Sequence, residues 1–174
     1  MTLAWVGLGA NLGDAALALR SAAAALGALA QTVLVALSSV YRSAPIESSG
    51  ADYLNAVALL QTELPAPALL AELRRIERGH GRERPYRNAP RTLDLDLLVY
   101  GDQRIALPTL TVPHPRAHVR AFVLRPLAEI APELELPGRG RVTELLALVA
   151  DQRIEKVSVP GWSAGPWSRP PGDG

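Results

Sequence analysis

The sequence predicts an α+β fold in which helices pack on an antiparallel sheet. Two observations predict this. Short segments rich in β-branched residues alternate with longer segments whose apolar residues recur at helical spacing, and their order is strand, helix, strand, strand, helix, strand. That order is the split βαβ plan of ferredoxin-like domains, with the helices on one face of the sheet. Two further helices after the last strand form a C-terminal helical extension.

A turn joins the first strand to the first helix. Residues 2–9 are short and apolar, as expected of a strand, and Asn11 is expected to cap the following helix, with Asp14 in its first turn. The abundance of alanine predicts this helix from Ala15 to about Leu29. Its expected buried stripe consists of Leu17, Leu26 and Leu29.

The middle of the chain supplies three strands and one helix. β-branched residues predict strands over residues 31–41 and 53–62, and an apolar run predicts a third over residues 90–101. Between the last two strands, Pro65 is expected to open a helix that Gly79 ends. The apolar positions at helical spacing are Leu69, Leu73 and Ile76.

The C-terminal part of the chain is predicted to be helical and then irregular. Helices are expected near residues 121–129 and 142–150. The last residues, 160–174, are rich in Gly and Pro and are expected to lack regular structure. We therefore predict one domain over residues 1–159, followed by a tail that is dispensable unless its tryptophans dock on the domain.

Composition excludes several classes of protein. The chain has 174 residues, of which 48% are hydrophobic and 20% are charged, as in a soluble single-domain protein. Without cysteine, it has no disulfides, thiolate metal sites or cysteine nucleophile. No apolar run has membrane-spanning length and no secretory signal is recognised, so the cytoplasm is the expected location and no membrane partner is expected. The net charge of +1 argues against extensive nucleic-acid binding, and a monomer is expected.

The stretch VGLGANLG does not fit a dinucleotide-binding motif. Gly7, Gly9 and Gly13 are spaced GxGxxxG, and no acidic partner follows a second strand. A tight turn is therefore the expected role of these glycines. The chain also lacks GxxxxGK[ST], so a nucleoside triphosphate would have to be bound without a P-loop.

Two aspartates lie in the predicted strand PRTLDLDLLVYG, although Asp is normally rare in strands. Strand residues alternate between two faces, so Asp94 and Asp96 are neighbours on one face, which Leu98 and Tyr100 are expected to continue. The opposite, apolar face consists of Leu93, Leu95 and Leu97. Close carboxylates repel each other unless a cation lies between them, and Mg²⁺ accepts two such ligands together with water and phosphate. Taken alone, the pair fits either a magnesium site or a solvent-facing pair.

Arginines are concentrated just before the acidic pair. All but one of the 18 basic residues are arginine, and seven arginines but only two glutamates lie between Arg74 and Arg91. Guanidinium groups bind phosphate through two parallel hydrogen bonds. This basic segment could be solvated, could bind RNA or, beside a metal-binding pair, could serve phosphoryl transfer. In the last case, a loop carrying Arg82, Arg84 and Arg87 could close over the site.

A second group of candidate residues follows the acidic strand. His114 lies between two prolines, which restrict its backbone, and Arg116 and Arg120 follow closely. These residues form either a second phosphate contact or a structural histidine with solvated neighbours. Tyr53 and Phe122 are either core residues or a pair of rings that stack on a flat heterocycle.

Five blocks of the sequence together resemble one enzyme family. They are VGLGANLGD, VYRSAPI, DYLNAV, PRTLDLDLLVYG and LTVPHPRAHVRAFVLRPLAEIAPEL. In this order, over about residues 3–150, they are similar to the 6-hydroxymethyl-7,8-dihydropterin pyrophosphokinases of folate biosynthesis. The resemblance implies an ATP-dependent transfer of the pyrophosphoryl group to the pterin hydroxymethyl oxygen. It also implies that AMP is released, that Mg²⁺ is required and that no covalent intermediate forms.

The resemblance also implies roles for individual residues. Asp94 and Asp96 would bind two magnesium ions, and Arg82 and Arg91 match the catalytic arginines of the family. The implied contacts with the co-substrate ATP are Glu77, Leu97 through its backbone, Thr111, His114 and Arg120. The implied contacts with the pterin are Ser43, Ile46, Tyr53, Asn55 and Phe122.

Some positions depart from the family pattern. Asn88 and Ala89 stand where the family usually has an aromatic residue and a glycine. That aromatic residue helps to cover the pterin, so the cover of the site is expected to differ here, with Tyr86 as the nearby candidate substitute. Arg74 stands at a helix position that is often uncharged in the family, on the adenine side of the site.

Two other functions are compatible with parts of the pattern. A ferredoxin-like RNA-binding module would use the arginine-rich segment, although the acidic pair, the net charge of +1 and the lack of an aromatic RNA-binding block argue against it. A nucleotidyl transferase would also use two carboxylates on a strand with Mg²⁺. The products distinguish the two enzymes, because the pyrophosphokinase releases AMP and the nucleotidyl transferase releases pyrophosphate.

Overall fold

The protein is described by a computed structural model over residues 1–11, 14–44, 52–81 and 93–168. The strands are β1 (Thr2–Ala10), β2 (Thr32–Leu37), β3 (Val40–Ser43), β4 (Tyr53–Thr62), β5 (Asp94–Tyr100), β6 (Ile105–Leu107), β7 (Leu110–Val112), β8 (Glu135–Leu136), β9 (Gly140–Arg141), β10 (Glu155–Val157) and β11 (Gly165–Pro166). The helices are α1 (Ala15–Gly27), α2 (Ala66–Gly81), α3 (Ala121–Ile130) and α4 (Val142–Ala147), with a 3₁₀ helix at Ala117–Val119.

Seven strands form one antiparallel sheet around β4. β1 pairs with β4 along its whole length and with β5 on its other side. The opposite edge of β4 is shared by β2, which pairs with its second half, and β3, which pairs with its first half. β10 extends the sheet beyond β3, and β11 extends it beyond β2. The predicted antiparallel sheet with helices is therefore confirmed.

The two faces of the sheet belong to two apolar cores. On the first face, α1 and α2 pack on the sheet through buried side chains that include Leu19, Leu26, Leu69 and Leu73. On the second face, α3 and α4 pack around Trp5, Val57 and Leu98. The C-terminal helical extension thus covers part of the face opposite α1 and α2. Next to α3, this second face carries a cleft.

Helix α1 begins at Ala15, as predicted, but a different residue caps it. The carboxylate of Asp14 accepts a hydrogen bond from the amide of Leu17 at 2.9 Å. The expected cap at Asn11 is wrong, because Asp14 occupies the N-cap position and the buried side-chain oxygen of Asn11 has no hydrogen-bond partner among the described residues. Leu17 was expected to be buried but is 50% exposed. The buried face of the helix consists of Leu19, Ala22, Ala23 and Leu26.

The segment predicted as one strand over residues 31–41 forms two strands, β2 and β3. At the bend between them, the amide of Ser38 donates to the Val57 carbonyl at 2.9 Å, and the Ser38 hydroxyl accepts from the Val57 amide at 2.8 Å. Ser39 donates from its amide and its hydroxyl to the carboxylate of Glu129 in α3. Side chains therefore provide hydrogen-bond partners for the backbone groups that the interruption of the strand leaves without partners.

The same Glu129 carboxylate also anchors β3. It accepts a hydrogen bond from the hydroxyl of Tyr41 at 2.7 Å. Burial and then the neighbouring Glu129 raise the pKa of Tyr41 to about 12, so the hydroxyl keeps its proton and donates at neutral pH. Helix α3 is thereby tied to the middle of the sheet.

Helix α2 passes through Gly79, where the sequence predicted its end, and continues to Gly81. A glycine that ends a helix usually adopts a left-handed conformation, and Gly79 does not have a positive φ. The remaining helical hydrogen bonds outweigh the cost of an internal glycine, about 1 kcal/mol relative to alanine. Among the described residues, no helix is long and apolar enough to cross a membrane.

A bulge in β5 changes the face on which its last residues lie. Val6 of β1 pairs with Leu97, but the preceding Trp5 pairs with Val99, so Leu98 is an extra residue in the ladder. Leu98 lies on the same face as the two aspartates, as expected. Tyr100 was expected to follow it, but the extra residue turns Tyr100 into the first core. The simple alternation is therefore wrong for Tyr100.

The C-terminal segment docks on the edge of the sheet. Residues 165–166 form β11 and pair with β2, so the expected lack of regular structure is wrong for them. The indole nitrogen of Trp162 donates to the Ser38 carbonyl at 2.8 Å, and the amide of Trp167 donates to the Val35 carbonyl at 3.0 Å. Both indole rings pack against the first core. Residues 169–174 lie outside the described residues.

Substitution of Gly27, the last residue of α1, tests the docking of Trp167. A Cβ atom at Gly27 would lie 2.5 Å from the Cη2 atom of Trp167. Alanine normally stabilises a helix relative to glycine by about 1 kcal/mol. We expect Gly27→Ala instead to lower the melting temperature by several degrees, because the indole must move away. In a Trp167→Ala background, the same substitution should be neutral or stabilising.

Thermal unfolding of the wild type, both single variants and the double variant measures this change of sign. Gly79→Ala is the matched control, because a Cβ there would have nothing within 4 Å, and it should raise the melting temperature. A Gly27→Ala variant as stable as the wild type would show that Trp167 does not dock against α1.

Candidate active site

Strand β1 forms the floor of the cleft on the second face of the sheet. In the register of the sheet, Gly7 and Gly9 lie opposite Asp96 and Asp94 of β5. The expected role of both glycines in a tight turn is wrong, because both lie inside the strand and neither has a positive φ. Neither carries a side chain, so the cleft is open down to the backbone of β1. Gly13, the third glycine of the motif, lies outside the described residues.

The cleft collects residues from one end of the sheet and from the start of α3. It has a cavity volume of about 220 Å³, which is below the range of about 300–1,000 Å³ that is usual for ligand sites. Most of the site residues predicted from sequence and described in the structure line it. They are Ser43, Tyr53, Asn55, Asp94, Asp96, Arg120 and Phe122.

The orientation of Asn55 in the cleft is set by its neighbours in β3. Its amide nitrogen donates to the hydroxyl of Ser43 at 2.7 Å and to the carbonyl of Tyr41 at 3.4 Å. The side-chain oxygen then lies towards the floor, where it is the nearest atom to a Cβ built on Gly9, at 3.6 Å. Asn55 is 5% exposed, so this acceptor is held in a largely desolvated position.

Two aromatic rings and one guanidinium group line the cleft. Tyr53 begins β4, and Phe122 lies in the first turn of α3. The guanidinium of Arg120 lies over the ring of Phe122, 5.3 Å from its centroid, within the range of a cation–π contact. This part of the cleft is suited to a flat, partly polar molecule next to an anionic group.

The two aspartates are half-buried and line the cleft together, as the alternation of the strand predicts. Carboxylate oxygens are suitable ligands for Mg²⁺, which usually keeps several waters and binds substrate phosphates. The described residues contain no cluster of three or more His, Cys, Asp or Glu placed to hold a metal ion. The pair would therefore supply two ligands and leave the others to water and substrate.

The peptide between the two aspartates is held by helix α2. The amide of Leu95 donates to Glu77 at 3.0 Å, and the carbonyl of Leu95 accepts from Arg74 at 2.9 Å. Arg74 and Glu77 are also paired with each other at 2.5 Å. Removal of either partner would leave a buried charge or backbone group unsatisfied. The Leu95 peptide, and with it the acidic pair, is therefore fixed relative to α2.

His114 lies beside the acidic pair in a neutral form. Its backbone amide donates to the carbonyl of Leu98 at 2.9 Å, and its Nδ1 accepts from the amide of Arg116 at 3.2 Å. Burial lowers the pKa of His114 below its ordinary value, Arg120 and Arg116 lower it further, and Asp96 opposes the change. With Nδ1 accepting, the ring proton of neutral His114 lies on Nε2, which can donate to an anion.

The other predicted site residues have different positions. Thr111 is exposed in β7 and does not line the cleft within the described residues. The side chain of Leu97 lies in the first core. Because backbone groups alternate in direction along an edge strand, those of Leu97 face the same side as those of Leu95. Three predicted residues lie outside the described residues, as does Asn88: Ile46, Arg82 and Arg91.

Sequence reasoning missed the glycine floor, although the pattern contained a signal for it. In β1 the buried residues Ala4, Val6, Leu8 and Ala10 recur with a period of two. Gly7 and Gly9 occupy the alternate positions, so they lie on the other face. A strand with side chains on one face and glycines on the other indicates close approach of a ligand or of another chain segment.

Comparison with known sequences identifies the family. The model of the 7,8-dihydro-6-hydroxymethylpterin-pyrophosphokinase (HPPK) family matches residues 5–132. The 2-amino-4-hydroxy-6-hydroxymethyldihydropteridine pyrophosphokinase of Haemophilus influenzae is 44% identical over 159 residues, which are 91% of this chain and 99% of that protein. The enzyme of the same name from Pseudomonas aeruginosa is 43% identical over 154 residues, 88% of this chain and 95% of that protein.

Solved structures with a similar fold carry the same family name. The HPPK-DHPS of Plasmodium falciparum with SDX-DHP matches with a TM-score of 0.67 and 13% identity, over 87% of this chain and 44% of that chain. A crystal structure of HPPK-DHPS in complex with substrates matches with a TM-score of 0.68 and 11% identity, over 86% of this chain and 43% of that chain.

The chain thus spans less than half of the length of these two structures, and at such low identity they show the similarity of the fold alone. The family model and the relatives carry the assignment. Because that model covers residues 5–132 and the two relatives are 43–44% identical over nearly the whole chain, the chain belongs to the 7,8-dihydro-6-hydroxymethylpterin-pyrophosphokinase family.

Proposed function

We propose that this protein transfers the pyrophosphoryl group of ATP to the hydroxymethyl oxygen of 6-hydroxymethyl-7,8-dihydropterin, with release of AMP, in folate biosynthesis. One observation carries the proposal: the acidic pair of β5 shares one cleft with Tyr53, Asn55 and Phe122. A carboxylate pair for metal-bound phosphates and a ring-lined pocket for a flat heterocycle are the two halves that this reaction has to bring together.

The pterin half of the cleft binds the acceptor. Tyr53 and Phe122 contact the faces of the heterocycle, where stacking contributes about 1–3 kcal/mol per ring. The side-chain oxygen of Asn55 accepts hydrogen bonds from the polar edge of the ring, since its nitrogen is already engaged with Ser43. Ser43 and Ile46 contact the same edge largely through their backbone groups.

The phosphate half of the cleft binds ATP. His114 donates from Nε2 and Arg120 from its guanidinium to phosphate oxygens, and the backbone of Leu97 contacts the adenine side, with Thr111 and Glu77 as further contacts. Arg82 and Arg91 neutralise the charge that spreads over the transferred group. The hydroxymethyl oxygen forms a bond to the β-phosphorus and releases its proton to water, while the bond from that phosphorus to the α-phosphate oxygen breaks and AMP leaves.

The donor set of the acidic pair fits Mg²⁺, and we propose that Asp94 and Asp96 hold two ions. When bound, these ions supply charge neutralisation at the phosphates and polarisation of the reacting oxygens. The contribution of this chain is the geometry of the two carboxylates, which the alternation of β5 and the contacts of Leu95 with α2 determine.

Several further features belong to the same proposal. The strand order, with β4 between β1 and the β2–β3 pair and with β5 outside β1, supports a ferredoxin-like split βαβ classification. We propose residues 1–159 as the pyrophosphokinase domain, which contains every residue given a catalytic or binding role, with residues 160–174 as its tail, in which Trp162 and Trp167 pack on the domain. We further propose a cytoplasmic monomer that binds neither nucleic acid nor membrane.

An assay of reaction products tests the proposal directly. The purified protein is incubated with ATP, Mg²⁺ and hydroxymethyldihydropterin, and the nucleotide products are separated. We expect AMP and the pterin diphosphate in equal amounts, only when the pterin is present. Release of pyrophosphate would instead indicate a nucleotidyl transferase, and absence of pterin-dependent AMP would overturn the proposed function.

Removal of one carboxylate tests the metal-binding pair. Asp96→Ala should lower kcat/KM at least about a hundredfold, because phosphate charge would no longer be neutralised in the right place. The melting temperature should change little, since the carboxylate lies in an open cleft. In a titration with Mg²⁺, the variant should need a higher Mg²⁺ concentration for half-maximal activity than the wild type. Asp102→Ala, in an exposed turn, is the matched control, and near-normal activity of Asp96→Ala would exclude the proposed role.

A side chain on the floor of the cleft tests the position of the pterin. Gly9→Val should raise the KM for the pterin more than tenfold and change the KM for ATP less than about threefold, because the added methyl groups occupy the space beside Asn55. Gly79→Val, where a Cβ would have open space, is the control for the same substitution. Equal effects of Gly9→Val on both substrates would place the pterin elsewhere in the cleft.

A further inference from the structure

Helix α3 begins without a capping side chain of its own. Its N-cap residue is Arg120, in an extended conformation with φ −120° and ψ 115°, and the arginine side chain makes no capping hydrogen bond. Ser, Thr, Asp or Asn usually occupies this position and accepts from an amide of the first turn. The first amides of a helix have no partner within the helix, so those of α3 need an acceptor from elsewhere.

The acceptor comes from Gln152, which follows α4 in the chain. Its side-chain oxygen accepts a hydrogen bond from the amide of Ala121 at 2.9 Å. Its side-chain nitrogen donates to the carbonyl of Val119, the last residue of the 3₁₀ helix, at 2.8 Å. A single planar amide therefore binds the backbone on both sides of Arg120.

The segment held in this way carries two cleft residues. Arg120 and Phe122 both line the cleft, and the guanidinium of Arg120 lies over the ring of Phe122. The first helical amide, that of Ala121, thus has its acceptor from outside the helix, while the N-cap residue Arg120 makes no capping hydrogen bond. The guanidinium is then free to serve the cleft, while Gln152 limits rotation of the backbone that carries it.

The backbone of Gln152 is itself anchored. Its amide donates to the carbonyl of Val149 at 3.0 Å, in the turn after α4. α4 packs into the second core through Val142 and Leu145. Gln152 also lies beyond the residues, 5–132, that the family model matches.

We propose that Gln152 is a positioning residue for the transfer reaction: its side-chain amide, bonded to Val119 and Ala121, sets the orientation of Arg120 and Phe122 in the cleft. The inference rests on the proposed function, since it assigns Gln152 an effect on the binding of ATP and pterin. Gln152 does not contact the reacting atoms on this view and acts only through the backbone between the 3₁₀ helix and α3.

A double-mutant cycle in the full-length protein tests the inference. Gln152→Ala should lower kcat/KM about 3- to 10-fold, with an increase in KM for ATP, while kcat/KM of Gln103→Ala, in an exposed turn, stays at the wild-type value. In an Arg120→Ala background, Gln152→Ala should have less than about twofold effect on the KM for ATP, because the side chain that it orients is gone. The inference would be overturned if Gln152→Ala raised the KM for ATP by the same factor in the wild-type and Arg120→Ala backgrounds. An unchanged kcat/KM in Gln152→Ala would also overturn it.

Hydrogen exchange separates positioning from general stabilisation. Gln152→Ala should increase exchange at residues 120–123 and leave the rest of α3 and the sheet unchanged. Gln152→Glu keeps the acceptor for Ala121 but replaces the donor to Val119 by an acceptor oxygen, so its melting temperature should lie at or above that of Gln152→Ala while part of kcat/KM is still lost. Full activity of Gln152→Glu would show that the residue only caps the helix. Wild-type protein without pterin-dependent AMP release would instead overturn the proposed function.

Discussion

The structure of the site depends on how the peptide between the two aspartates is held. β5 has β1 on one side, and on its other side the Leu95 peptide is bonded to Glu77 and Arg74 of α2. A strand at the edge of a sheet has backbone N–H and C=O groups without ladder partners. Here a charged pair from the neighbouring helix replaces the missing strand. Asp94 and Asp96 therefore keep one orientation, although two adjacent carboxylates repel each other.

The two faces of the sheet have different roles: one carries the larger apolar core and the other carries the cleft. The first face is covered by α1 and α2 and provides the large apolar core, so that the backbone of β1, β4 and β5 is a rigid platform. On the second face, α3 and α4 cover Trp5 and Val57 and leave the glycines of β1 open. The cleft exists because Gly7 and Gly9 bring no side chains to this face, while Asn55 and the aspartates flank them on the neighbouring strands.

The C-terminal part of the chain contacts two places in the fold, the β2 edge of the sheet and the start of α3 beside the cleft. At the edge of the sheet, Trp162 and Trp167 cover β2 and pack on the first core. Near the cleft, Gln152 caps α3 from a distance of 31 residues in the chain. The start of α3 therefore has one acceptor from outside the helix, although its own N-cap residue, Arg120, supplies none from its side chain.

The sequence by itself determined the antiparallel sheet, the presence of α1 and α2 and the placement of both aspartates on one face, because these follow from local patterns of period two and period 3.6. It did not separate β2 from β3, which the predicted order counted as one strand. It placed Tyr100 on the wrong face, since a bulge depends on the pairing of two distant strands. It left the docking of Trp167 open and did not predict the contacts of Gln152 with α3, for the same reason. Contacts between residues that are far apart in the sequence depend on how the helices and strands pack together, so only the tertiary structure decides them.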